Sequence, residues 1–171
     1  QYGIHNVSLK TIAAKAGVTH GAVYWHFKNR DDLILSLKDH YSLPFETYYF
    51  EHLQAIDQNA LKALRHFLND TVDHIEAQPV ATQTHTLFFK RNRELPELYE
   101  LQQSLNVDWQ TWVAYIEKYL KQARKQKLIR KKTKELPIAE TLLCQVFGIL
   151  DVADYQPRPA DRKSLIRTTI D

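Results

Sequence analysis

The chain has 171 residues, 44% of them hydrophobic and 25% charged, with a formal net charge of +3. That length suits one domain or a small domain joined to a larger one, and the balance is that of a soluble globular protein rather than a disordered one. No run of about 18 apolar residues occurs, which excludes a membrane-spanning helix; the lone cysteine, Cys144, excludes an internal disulfide and suits a reducing cytoplasm.

From the N-terminus, Leu9, Ile12, Ala13 and Ala16 recur at the i, i+3, i+4, i+7 spacing of one helical face. Ser8 stands where a hydroxyl accepts from first-turn N–H groups, and Gly17 where a left-handed residue ends a helix. Thr19 is placed to cap a second, short helix whose apolar side is Val23 and Phe27, with Val18 plugging the corner. Asn29 caps a third, with Asp32 set to reach back and Leu33, Ile34, Leu37 and Tyr41 as its buried stripe. A helix, a three-residue turn with glycine and a second helix form the plan of a DNA-binding helix-turn-helix.

With Val23 and Phe27 turned inward, His20, Gly21 and Tyr24 face outward near the start of the second helix, where a recognition helix meets base edges. Gly21 lets the backbone approach closely, and Tyr24 can meet a phosphate or a thymine methyl. Trp25, His26, Lys28 and Arg30 lie toward the helix end and the next cap. They are assigned to phosphates, contacts that orient a protein without reading sequence. Ser8, with the amide end of the first helix, offers a further anion site, and Lys10 reaches from that end toward a phosphate or a guanine. Two alternatives stay open: the Trp25 ring packs under the third helix, leaving only its N–H for DNA, and Lys15 is simply solvated.

From Gly3 to about Tyr41 the chain resembles the N-terminal domain of the tetracycline-repressor (TetR) family. The run G-V-T-H-G-A-V-Y-W-H-F-K-N-R-D-D-L, Gly17 to Leu33, is similar to the AcrR-type multidrug-efflux repressor branch at nearly every position. The resemblance implies a two-domain, all-helical, dimeric repressor whose larger domain binds a small inducer. It implies that Lys10, His20, Gly21 and Tyr24 approach bases, while Ser8, Trp25, His26 and Arg30 hold the DNA backbone. It also implies a helix ahead of Gln1, so the expected domains are an N-terminally incomplete helix-turn-helix domain over 1–43 and a ligand-binding and dimerisation domain over 44–171. The absence of methionine adds the expectation that residues are missing from the sequence.

Beyond residue 43 everything reads as helix, with no alternating strand pattern or hairpin dipeptide. Leu61, Leu64, Leu68, Val72 and Ile75 make an amphipathic face ending before Pro79. A shorter helix runs from about Val80 to Arg93. Leu105, Trp109, Trp112, Val113, Ile116, Leu120 and Ala123 mark a long helix reaching about Leu128. Within residues 118–134 lie nine Lys or Arg and no acid, which fits either a second DNA-binding patch or a solvated helix end. Pro137 sets off a helix from Ile138 to about Ala153, and a last one begins at Ala160.

The helix from Ile138 is apolar around most of its circumference, so it is expected to be buried on both sides, the second side by another subunit. Leu142, Val146, Ile149 and Leu150 are its candidate interface residues, with Leu165 and Ile166 from the last helix. The family resemblance points the same way, and a two-fold dimer presents two recognition helices to a pseudo-palindrome. Cys144, within this apolar helix, is expected to be a buried, inert thiol. For a small hydrophobic or aromatic inducer, Phe88, Phe89, Trp109, Trp112 and Tyr115 offer apolar surface and His85 and Gln145 polar contacts; plain core is the competing role for each.

Catalytic signatures are absent: there is no phosphate-binding glycine loop, no nucleophile elbow and no His-Glu-x-x-His pair. No two of the eight histidines lie three or four apart, so a helical metal site is not expected, nor any cofactor. The pair Asp70 and His74 reads as a surface ion pair. The favoured reading is a cytoplasmic, ligand-responsive repressor that binds an operator as a homodimer. The alternative is an all-α small-molecule-binding or enzymatic bundle with a purely structural helix-turn-helix. The outward row from Tyr24 to Arg30 favours the first, because a structural corner does not need it.

Overall fold

The computed structural model describes residues 7–90 and 98–152, and every regular element among them is helical. In chain order these are α1 Leu9–Ala16, α2 His20–His26, α3 Arg30–His40, α4 Phe45–Leu53, α5 Ala60–Ala77, α6 Pro79–His85 with a π-helical turn Thr86–Lys90, α7 Tyr99–Lys125 and α8 Glu135–Val152. The expected helix from Ala160, with Leu165 and Ile166, lies outside the described residues. Among the described residues no helix is long and apolar enough to cross a membrane.

Two compact units emerge: Gln1–Ser42 with Val80–Asn106, and Leu43–Pro79 with Val107–Asp171. This differs from a single cut between 43 and 44. The reason lies in α3, whose Ile34, flanked by Leu35 and Leu37, packs in one core with Phe88, Leu98 and Leu101. The third helix of the helix-turn-helix region thus finds its apolar partners some 50 or more residues later. At its far end the buried Lys38 ammonium donates to the Ser104 hydroxyl at 2.7 Å and meets Asp39 at 3.3 Å, so its charge is compensated where water is scarce.

In the second unit, α4 lies along α5 and α5 along α8. An aromatic stack runs through its centre: Phe45 lies flat on Trp112 with ring centres 4.4 Å apart, and Tyr49 on Tyr115 at 3.8 Å. The wholly buried Tyr119 donates its hydroxyl to the Tyr49 carbonyl at 3.0 Å, and burial pushes its phenol pKa well above the ordinary value. Gln126 closes the end of the unit. Its amide accepts from the Ala60 N–H at 2.8 Å, satisfying a free donor at the start of α5, and donates to the Ile56 and Asp57 carbonyls.

Pro137 does not precede α8 but sits in its first turn, where a missing N–H costs no hydrogen bond. The helix buries Ala139, Leu142, Leu143, Val146 and Leu150 within its own chain. Leu142, Val146 and Leu150 therefore belong to the chain's own core and are not available to a partner; Ile149 is half-buried. Cys144 is exposed, contrary to its expected burial, because it falls on the opposite side of α8 from the core residues.

Candidate nucleic-acid interface

Each helix of the N-terminal region begins on a side-chain cap. Ser8 accepts from the Thr11 N–H at 3.1 Å, Thr19 from Ala22 at 3.1 Å and Asn29 from Asp32 at 2.8 Å. The Asp32 carboxylate in turn accepts from the Lys28 N–H at 2.9 Å, one residue ahead of the cap. Gly17, at φ 70°, ends α1, and its N–H and that of Val18 turn back to the Ala14 and Ala13 carbonyls. That is the left-handed stop only glycine adopts freely. Beneath the corner, Leu9, Ala13 and Val23 are buried, with Ile12, Phe27 and Leu33 packed against them.

Fixing Val23 inward sets the rest of α2 outward. Thr19, His20, Gly21, Tyr24, Trp25, His26 and Lys28 are all exposed, as are Ser8 and Lys10. Trp25 is 83% exposed, so its ring does not pack under α3. The outward rings brace one another in two edge-to-face pairs, His20 with Tyr24 at 4.5 Å and Trp25 with His26 at 4.9 Å. Arg30 is half-buried and meets the Asp31 carboxylate at 3.4 Å, so part of its charge is already engaged. Two residues depart from expectation: Val18 is 47% exposed, since Leu9, Ala13 and Val23 close the corner without it, and Tyr41, the C-cap of α3, is 40% exposed beyond the end of that helix's buried stripe.

The sequence resembles known proteins most strongly over this region. Residues 1–37 match the model described as "Bacterial regulatory proteins, tetR family". That stretch of the chain therefore resembles the N-terminal part of that family. Over 33 residues the chain is 58% identical to the HTH-type transcriptional regulator AcrR of Shigella flexneri, covering 19% of this chain and 15% of that protein. Over 107 residues it is 27% identical to the regulator BetI of Yersinia pestis (strain Pestoides F), covering 62% and 54%. The matched part thus spans about half the length of BetI, and far less of AcrR. The crystal structure of NalD, secondary repressor of the MexAB-OprM multidrug efflux pump in Pseudomonas aeruginosa, superposes with a TM-score of 0.80 at 25% identity, covering 98% of this chain and 84% of that one.

The residues expected to hold an inducer are divided between the two units. His85, Phe88 and Phe89 fall in the first compact unit, and Trp109, Trp112, Tyr115 and Gln145 in the second. Phe88 is core beside Ile34, with His85 buried and stacked on Phe89 at 6.2 Å. Trp112 is core between Phe45 and Phe147, Trp109 lies 5.7 Å from Phe147, and Gln145 is exposed on α8. Plain packing explains the buried rings. The pair Asp70 and His74 is also rearranged: Asp70 accepts from His52 Nε2 at 2.7 Å, while His74 Nδ1 lies 3.0 Å from the Tyr48 hydroxyl. Sequence reasoning missed a cleft of about 270 Å³ in the second unit, lined in part by Leu142, Arg130 and Thr133. The run of cations over 118–134 was its only visible signal.

Proposed function

We propose that this protein is a ligand-responsive transcriptional repressor that binds a pseudo-palindromic DNA operator as a homodimer and is released by a small hydrophobic inducer. One observation carries the reading: above the buried Val23, α2 presents Tyr24, Trp25 and His26 to solvent as a braced row, with Lys28 beside them. Exposing three aromatic rings has no folding rationale, because apolar surface is stabilised by burial. A duplex supplies what they lack, phosphates for the ring N–H and O–H groups and base edges for His20, Gly21 and Tyr24. Ser8, Lys10 and Thr19 extend the contact along the same unit, with residues 1–43 as the DNA-binding part.

Dimerisation through α8 uses the face its own core leaves uncovered, from Ile138 through Thr141 and Gln145 to Gly148, all exposed. Leucines and valine of the opposite face hold α8 to its own chain. An inducer acts by preferring one of two states of the dimer that differ in the separation of the recognition helices. Selection of bound fragments from a randomised duplex pool tests this. Enrichment of an inverted repeat with half-sites about one helical turn apart is expected; a pool that stays random at low salt refutes DNA recognition.

A further inference from the structure

We infer that the cleft at the α7–α8 end of the second unit is a binding site for a small amphiphilic anion, with its apolar tail inside and its carboxylate at Arg130 and Thr133. Buried Leu64, Leu120 and Leu142 from three helices form its floor, and Ile129 and Ile138 its sides. Arg130 is exposed and Thr133 half-buried, so both stand at the mouth. The volume is about 270 Å³, equal to about nine waters, which a chain of about eight carbons fills.

The segment that builds the mouth is fixed before any ligand arrives. Lys127 takes a left-handed conformation at φ 62°, and Leu128 N–H returns to the Ala123 carbonyl at 2.9 Å, stopping α7. Gln126 ties that end to α5, and the Thr133 N–H closes a turn on the Arg130 carbonyl at 3.0 Å. A preformed cleft loses little conformational entropy on binding.

Charge selects the sign of the ligand. Arg124 pairs with Glu135 at 2.7 Å and Lys121 with Glu117 at 2.8 Å. Among the described residues, Lys127, Arg130, Lys131, Lys132 and Lys134 form no such ion pair. The cleft therefore opens into a positive field around apolar walls. Among the described residues no aromatic ring lines it, so they offer no platform for a nucleobase. A carboxylate or sulfonate on a short hydrocarbon satisfies both halves at once.

For its regulatory role the site rests on the reading of a ligand-responsive regulator, but its occupancy can be measured without DNA. Calorimetric titration of the full chain with sodium octanoate, octanol and octyltrimethylammonium separates tail from head group. Octanoate is expected to bind at one per chain, octanol about tenfold more weakly, and the cation not at all. Arg130→Glu, on the surface, is expected to weaken octanoate about tenfold and leave octanol unchanged. Ile129→Trp, which fills the cleft from a half-buried position away from α8, weakens both. Equal affinity for octanoate and octanol, or no octanoate binding by a folded chain, overturns the site and leaves the DNA-binding reading standing. Octanoate affinity unaffected by Arg130→Glu overturns it equally.

Discussion

Replacing Trp25 with alanine separates an aromatic ring that holds the fold from one that meets DNA. At 83% exposure the indole has only a sixth of its surface covered. That is about 40 Å² of a ring that can bury about 250 Å², or about 1 kcal/mol of burial at ~25 cal/mol per Å². Alanine returns about 0.5 kcal/mol through better helix propensity. The net cost to stability is about 0.5 kcal/mol, a fall in Tm of about 1–2 °C for a chain of this size. Binding to a selected duplex, measured by fluorescence anisotropy, is expected to suffer far more. One indole N–H donated to a phosphate is worth about 1–2 kcal/mol, a factor of about 5–30 per subunit. Because the indole is neutral, the slope of log K against log salt stays unchanged, whereas Lys28→Gln lowers it by about 0.9 for each phosphate no longer neutralised. Unchanged duplex affinity in Trp25→Ala, or a Tm loss above about 5 °C, refutes the assignment.

Gly17→Ala is expected to cost about 1–2 kcal/mol in denaturant unfolding, the price of a left-handed L-residue. At φ 70° no atom lies within 4 Å of the added Cβ, so a larger loss would point to something other than the backbone. Ser8→Ala removes the acceptor for the Thr11 N–H and is expected to cost about 1 kcal/mol, read in the same experiment. Burial raises the Tyr119 pKa above its unfolded value near 10. Its contribution to stability is therefore complete below that value and lost as pH rises through it toward the higher folded one. A urea midpoint series from pH 8 to 11 should fall on the alkaline side, less steeply in Tyr119→Phe; equal slopes would exclude the buried phenol as a cause.

How much of the fold and the site is legible in the sequence depends on the range of the interactions. Ser8, Thr19, Asn29 and Gly17 act on atoms within five residues, so cap chemistry and spacing alone locate α1, α2 and α3 to within a residue or so. Setting Val23 inward also sets Tyr24 and Trp25 outward, which places the exposed row from the sequence alone. The partner of α3 is invisible there, because nothing in Ile34 announces Phe88 or Leu101. Aromatic residues at helical spacing read the same whether they line a pocket or fill a core, and Trp112 turns out to lie against Phe45.

The apolar circumference of α8 shows why composition misleads about partners. Apolarity on all sides says that a helix is covered, not which side its own chain covers. Leu142, Val146 and Leu150 repeat at intervals of four and so form one stripe, which is buried within the chain where α5 packs along α8. What remains is the weaker side, where Ile138 is joined by threonine, cysteine, glutamine and glycine. A second copy meeting that side finds small residues that permit close helix approach more than hydrophobic bulk. A charge placed at exposed Gln145 should therefore disturb self-association while leaving the monomer folded. The same charge at Val146, 1% exposed, should unfold the chain first.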